Sequence, residues 1–542
     1  MFKGGANLRI IETDNGELIV NGIALSPKQS EIVKHNGNIV VSASAGTGKT
    51  RTMVSKIVYD LERNKTHKVI AAITFTIKAT QEIRERLIVD VAHNFIGTNN
   101  TFAIEEVIKP FMKDVYGEEY NIDFDTDYTN NDHKFDTFDE GVELLKTNGT
   151  IYSYKPTIQK SFVFELALDI AKNSKACRLF LTAKYFGIYI DEYQDCDGEM
   201  HEFFMYLCEK LKICTFIVGD DKQSIYRWRG AKPELFVSVT NNSGFHHFIL
   251  TENHRSCLSI QNYSNLLFNS TASLYRKSEN KGEIILVSKN ILDWPKAVMS
   301  VIDTEKSVAL LRSANNNTRN GKGGAKEGAD ELVKNGLNIV FIPEAPIEQI
   351  TTSSAWIYMA TARYIMLDNF TEYDFIQEVP AEGDIEKKTV NAVKKKLVKV
   401  KAGKEDIEKF KNSFSELVEY FSYTKPDESH INKLLETISD TQYANSISEN
   451  LPLHSSMTLF KSKGLEFEQV IIFFEDYAHN GNTSIDHLNN HYVASTRAKN
   501  KIILVSTTHE DAGAFGGRLK ELFANIEIKD LISTAPKTIK DS

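Results

Sequence analysis

The sequence predicts an α/β protein built as two parallel-sheet domains, each carrying a mainly helical insertion. Three observations predict this class. Short apolar runs recur with amphipathic stretches between them, the runs fall into two sets along the chain, and two long segments break the alternation. Strands covered by helices on both faces are buried throughout, so they read as continuous apolar runs. The first set is "NIVVSA" (38–43), "VIAAITFT" (69–76), "FGIYIDE" (186–192), "CTFIVGD" (214–220) and "FHHFIL" (245–250). The second is "EIILVS" (283–288), "SVALLR" (307–312), "NIVFIP" (338–343), "QVIIFF" (469–474) and "KIILVS" (501–506).

The two interruptions differ in composition. Residues 96–185 begin polar and aromatic ("NIDFDTDYTNNDHKFDTFDE") and continue into the amphipathic "SFVFELALDIAKNSKACRLFLTAKYF". Residues 346–451 contain "EKKTVNAVKKKLVKVKAGKEDIEKFK", whose interleaved glutamates favour a solvated helix face over a nucleic-acid contact. The expected division is 1–95 with 186–245 for the first sheet domain and 246–345 with 452–542 for the second. Residues 96–185 and 346–451 are the insertions, the second of them reduced. "SANNNTRNGKGGAKEGA" (313–329) is too rich in Asn and Gly for regular structure and reads as a loop. "LRIIETDNGELIVNG", with apolar residues on both sides of Asp-Asn-Gly, predicts a small β-hairpin.

Composition narrows the function classes. A chain of 542 residues suits several domains. A net charge of −9 argues against a polycationic DNA coat while leaving room for a local basic groove. The cysteines at 177, 196, 208, 214 and 257 form no C-x-x-C pair, so neither zinc nor a disulfide framework is expected. No apolar run reaches the ~18 residues of a membrane span. The start, "MFKGGANLRI", lacks a charged-then-apolar signal, which makes the cytoplasm the default.

Chemistry enters at "VVSASAGTGKT" (40–50). A small-residue loop between a strand and a helix turns backbone N–H groups inward, and the helix N-terminus adds partial positive charge. Ala43, Ser44, Ala45, Gly46, Thr47 and Gly48 make this phosphate cradle, with Ala43 where the usual first glycine stands. Lys49 would hold the outer phosphates of ATP and the Thr50 hydroxyl would bind Mg²⁺. "IYIDEYQD" (188–195) supplies the complement. A carboxylate at the end of a buried strand needs a counter-ion, and Mg²⁺ beside the cradle would be one. Asp191 then holds the metal, and Glu192 is placed to orient or deprotonate water, which implies hydrolysis.

Further motifs follow in order: "ITFTIKATQEIRERL" (73–87), "VGDDKQSIYRWRGA" (218–231), "LTENHRS" (250–256), "KSKGLEF" (461–467) and "YVASTRA" (492–498). Together they resemble the UvrD/Rep-like superfamily 1 DNA helicases through almost the whole chain. Phrases such as "NFIGTNN", "KYFGIYIDEYQDCD" and "NHYVASTRAK" resemble, within that family, the helicase-like subunit of the Gabija antiphage defence system. The resemblance implies two RecA-like motor domains that clamp ATP between them. By the same resemblance, Gln29 reads the adenine edge, Gln223 senses the γ-phosphate, and Glu466 contacts the nucleotide from the second domain. Arg255 and Arg497 are the implied arginine fingers, and His254 covers the base where the family usually has Tyr.

A DNA track needs aromatic platforms, because every base offers a π-face whatever the sequence. Phe75, Tyr226 and Trp228 occupy the matching motif positions, and Arg229 flanks the indole. Thr98 and Phe102 lie near an early motif and are further contact candidates. Phe460 stands where a His is usual, and Ile77 where an Asn is common, so binding and hydrolysis are better supported than processive unwinding.

The leading expectation is therefore a DNA-dependent ATPase with 3′-to-5′ polarity by family resemblance. The alternatives are a DNA-sensing regulatory subunit with little unwinding, and a solitary repair helicase. The Gabija resemblance also implies a nuclease subunit as partner. The chain shows no nuclease constellation of its own, and the acidic stretch 118–140 lacks a metal-ligand pattern. The partner surface is expected on 96–185, where Tyr120, Phe124 and Tyr128 read as exposed aromatics.

Overall fold

The computed structural model describes residues 10–87, 93–122, 124–128, 131–277, 283–288, 293–316, 323–350, 354–379, 387–421, 423 and 426–535. Its core is two parallel sheets, of six and seven strands, which with their helices make two RecA-like α/β domains. The first sheet runs His246–Leu250, Ile39–Ala43, Cys214–Gly219, Tyr185–Ile190, Val69–Thr74, Phe95–Thr98. All its pairings are parallel. The second runs Val340–Phe341, His454–Thr458, Val308–Arg312, Phe467–Phe473, Ala498–Val505, Ile284–Val287, Ser533–Thr534, again all parallel. Ile39, Val40 and Val41 are each fully buried, as a strand with helices on both faces requires.

Two boundaries are corrected. Strand His246–Leu250 pairs with Ile39–Ala43, so the first domain continues past 245. Strand Phe95–Thr98 forms the opposite edge of the same sheet, so the first insertion starts after it. The predicted loop 313–329 is also shorter than expected: helix Ala325–Lys334 begins inside it, while 317–322 lie outside the described residues. The N-terminal hairpin forms as read, with Ile10–Glu12 antiparallel to Leu18–Val20.

The insertions are built differently. The first is mainly helical and shares one core with the sheet: Phe102, Val107, Phe164, Leu166 and Ile170 pack with Val40, Ala71, Ile190 and Ile217. Tyr120 and Phe124 are buried in that core and Tyr128 is packed against it. The expectation that these are exposed docking aromatics is therefore wrong. The second insertion is a helical bundle with a core of its own, including Tyr358, Phe375, Phe410, Phe414 and Leu417. Among the described residues, no helix is long and apolar enough to cross a membrane.

One consequence of parallel topology positions the site. Every strand of the first sheet ends at the same edge, so four loops leave it together. They carry the phosphate loop after Ala43, Asp191 and Glu192 after Ile190, Gln223 after Gly219, and His254 with Arg255 after Leu250. From the second domain, Glu466 and Arg497 directly precede strands Phe467–Phe473 and Ala498–Val505 and face that edge.

Candidate nucleotide site and nucleic-acid interface

The phosphate loop turns back on itself at Gly46 and Gly48, whose φ angles of +76° and +81° belong to the left-handed region. Thr47 Oγ1 donates to Ser44 O (2.8 Å) and pins the turn. Helix Lys49–Arg63 follows with Gly48 as its N-cap and no side chain capping it, which leaves first-turn N–H groups for an anion. Buried Lys49 Nζ stands 3.3 Å from Glu192 Oε1 and makes no contact of hydrogen-bond geometry. An ammonium so placed has donors to give to a phosphate.

Thr50 Oγ1 donates to Asp191 Oδ2 (3.0 Å), which brings the two expected Mg²⁺ ligands together. Burial first, and then the neighbouring Glu192 charge, raises the Asp191 pKa to about 6. A buried carboxylate in that condition lacks cationic charge, and a divalent ion fits the place. Glu192 behaves oppositely. Burial would raise it, but Lys49 and Lys463 hold it well below the ordinary carboxylate range. Its backbone is left-handed (φ +50°, ψ +38°), a strained conformation for a residue with a side chain.

A cavity of about 190 Å³ adjoins the loop, lined by Gln29, Thr47, Leu250 and His254 among others. Gln29 is held there by the start of helix Pro27–Lys34: its Oε1 accepts from Ser26 N (3.1 Å) and its Nε2 donates to Thr47 O (3.2 Å). One N–H and one lone pair of the amide remain for a ligand. The His254 side chain is 45% exposed at the cavity mouth, and its backbone N–H donates to Gly46 O (2.9 Å).

The second domain closes the cleft. Arg255 Nε donates to Glu466 Oε1 (2.6 Å) and its Nη1 to Thr496 O (3.1 Å). Arg497 is only 2% exposed and reaches across to Gln223 Oε1 (3.4 Å). Burial, assisted by the Arg255 charge, lowers its pKa to about 9, so it stays a cation at neutral pH. Lys463 pairs with Asp195 and stands 3.6 Å from Glu192 Oε2.

The arrangement has known counterparts. A family model described as the UvrD/REP helicase N-terminal domain matches residues 25–163 and 160–243. Gabija protein GajB of Bacillus cereus (strain VD045) is 37% identical, over 93% of this chain and 99% of its own length. The chain belongs to the UvrD/Rep-like helicase family. ATP-dependent DNA helicase PcrA of Staphylococcus aureus (strain NCTC 8325 / PS 47) is 26% identical over 55% of this chain and 46% of that protein. A probable DNA helicase II homolog of Rickettsia conorii is 28% identical over 49% of this chain and 48% of that protein.

The expected DNA contacts of this UvrD/Rep-like chain divide sharply. Trp228 is 65% exposed, and the Arg229 guanidinium lies 4.5 Å from its ring centroid. Phe460 meets both Trp228 and Tyr226, with ring centroids 6.1 Å apart in each pair. The family's usual His is thus replaced by a ring that joins an aromatic cluster. Phe75 is half-buried beside the first core. Phe102 is fully buried among Phe95, Tyr185, Phe203 and Phe204, so its expected DNA contact is corrected: it is a core residue. Thr98 is 7% exposed; its hydroxyl accepts from Thr101 N (3.2 Å), capping the next helix, and shares a hydrogen bond with Thr101 Oγ1 (2.8 Å). Lys463, Tyr492, Asp220 and Asn253 also belong to the cleft and were missed. All four lie within or beside the motifs that carried the resemblance, but spacing alone does not show which motif side chains cross a cleft.

Proposed function

We propose that this chain is a DNA-stimulated ATP hydrolase that binds single-stranded DNA or DNA ends within a Gabija-type antiphage defence complex. The observation that carries this reading is the convergence, in one interdomain cleft, of Lys49, Glu192 and Gln223 with Arg255, Arg497 and Glu466. The near full-length similarity to a Gabija protein supports the defence role.

In this reading Lys49 and the loop amides bind the outer phosphates, and the cavity beside Gln29 and His254 takes the base. Thr50 and Asp191 would hold Mg²⁺, which supplies charge neutralisation. Glu192, kept ionised by Lys49 and Lys463, orients the attacking water. Gln223 senses the γ-phosphate, and Arg255 and Arg497 spread the transition-state charge over guanidinium forks. Trp228, Tyr226 and Phe75 stack bases, and domain closure drives the strand 3′ to 5′ or signals to a partner nuclease. The bound strand reports back through the Tyr226–Phe460 contact beside Lys463.

The test is ATP turnover and strand displacement on single-stranded, blunt and tailed DNA, with and without a candidate partner nuclease. Lys49→Ala should abolish turnover, and Glu192→Gln should keep nucleotide binding while stalling hydrolysis. Wild-type turnover by Lys49→Ala removes the cradle reading. Turnover without displacement would favour the sensor reading over the motor. Co-purification with versions altered in 96–185 or 346–451 locates the partner surface. No association of the intact chain would favour a solitary helicase.

A further inference from the structure

Tyr492 lies on helix Ile485–Ser495 of the second domain, on the approach to Arg497, and is only 2% exposed. Its ring meets Phe268 edge-on, with centroids 5.5 Å apart. Its hydroxyl crosses the cleft. It accepts from Ala45 N–H of the phosphate loop (3.1 Å) and donates to Asp220 Oδ2 (3.2 Å). Burial, and then the Asp220 charge, raises its pKa, so at neutral pH it remains a donor.

Asp220 distributes this tie. The same Oδ2 accepts from Gln223 Nε2 (2.8 Å), and Oδ1 takes Lys222 Nζ (2.6 Å). With its nitrogen end fixed on Asp220, Gln223 must turn Oε1 the other way, toward Arg497 Nη2 at 3.4 Å. The amide therefore has one orientation compatible with both neighbours. Tyr492 and Arg497 belong to one segment of the second domain, while Ala45, Asp220 and Gln223 belong to the first. The ring closes only when the two domains meet.

We propose that Tyr492 is a positioning residue for ATP hydrolysis: its hydroxyl fixes Asp220, and through it the Gln223 amide, only when the cleft is closed. The proposal rests on the ATPase reading above and deepens it. A ring that merely fills space would lose nothing by becoming phenylalanine. A hydroxyl shared by a backbone N–H and a carboxylate leaves both without it when removed.

The experiment compares wild type, Tyr492→Phe, Gln223→Ala and the double variant. It reads DNA-stimulated kcat, KM for ATP, melting temperature and the distance between dyes placed on the two sheet domains without nucleotide. Tyr492→Phe should lose about tenfold in kcat, with KM and melting temperature little changed. That loss should vanish in the Gln223→Ala background, because the hydroxyl acts through Gln223. The interdomain distance should broaden. Wild-type kcat in Tyr492→Phe, or losses that add in full, would overturn the proposal. If Tyr492→Phe melts early, Asp220→Asn replaces it, and wild-type kcat there has the same force. If the wild-type chain hydrolyses no ATP, the function reading fails by itself. The dye distance then decides the tie, since an unchanged distance in Tyr492→Phe rejects it.

Discussion

Trp228 holds its indole out beside an arginine, and Phe102 keeps its phenyl ring out of water entirely. Both stand in or beside motifs that predict nucleic-acid contacts, so substitution should separate them. Trp228→Ala should weaken single-strand binding by about 1–3 kcal/mol, the worth of one base–aromatic stack, with little change in melting temperature. Phe102→Ala should instead cost about 3–5 kcal/mol of folding stability, because it opens a cavity against four other rings. Fluorescence anisotropy on an oligonucleotide and a denaturant titration, run on both variants, check the pair. A Trp228→Ala protein that melts early with normal affinity would reverse its assignment.

Elements set the constraints that single residues cannot. The phosphate loop meets the loop after His246–Leu250 so closely that a Cβ on Gly46 would lie 2.6 Å from Asn253 Oδ1 and 2.9 Å from Arg255 Cβ. Its φ of +76° adds backbone strain to that clash. Gly46→Ala should therefore push the Arg255 loop away and depress turnover more than nucleotide affinity, as a kcat-to-Kd comparison would show. At the ends of the second sheet, Glu475 is buried 3.5 Å from Arg312, and Thr507 donates to it (3.2 Å). Burial, ahead of every other influence, raises its pKa from the ordinary 4.5 to about 7. The folded protein thus favours the protonated acid, an advantage held below about pH 4.5 and lost as pH rises through 7. The loss is at most about 3 kcal/mol. Melting curves should show the wild type falling relative to Glu475→Gln across that window, and parallel curves would count against it.

At the scale of the molecule, the second insertion does not hang free. The helix Ile77–Arg86, directly after the Phe75 motif, meets it: Arg84 lies 5.4 Å from the Trp356 ring centroid, and Gln81 Nε2 donates to Glu449 Oε1 (3.1 Å). Trp356→Ala should loosen this contact and raise amide hydrogen exchange in both 77–86 and 355–366. Unchanged protection on both sides would show that the contact holds without the indole.

The sequence by itself determined the two α/β domains, most of their strands though not Phe95–Thr98, His454–Thr458 or Ser533–Thr534, the phosphate loop and the acidic strand end. These are legible because each is local: a buried parallel strand needs a continuous apolar run, and a phosphate cradle needs small residues before Gly-Lys-Thr. The family resemblance rested on the same local strings. Tertiary structure alone decided which aromatics face water. Tyr120, Phe124 and Tyr128 read as exposed rings in a polar segment, and Phe102 as a nucleic-acid contact beside an early motif, but the first insertion folds all four into or against the sheet's core. It also decided where the domains divide, since strand His246–Leu250 joins a sheet begun some two hundred residues earlier. The cleft roles of Tyr492 and Lys463 exist only because Ala45, Asp220 and Asp195 stand opposite them in the fold. Pairings between residues hundreds of positions apart leave no periodic trace in a single chain, because their geometry is set by how two independently buried cores come together.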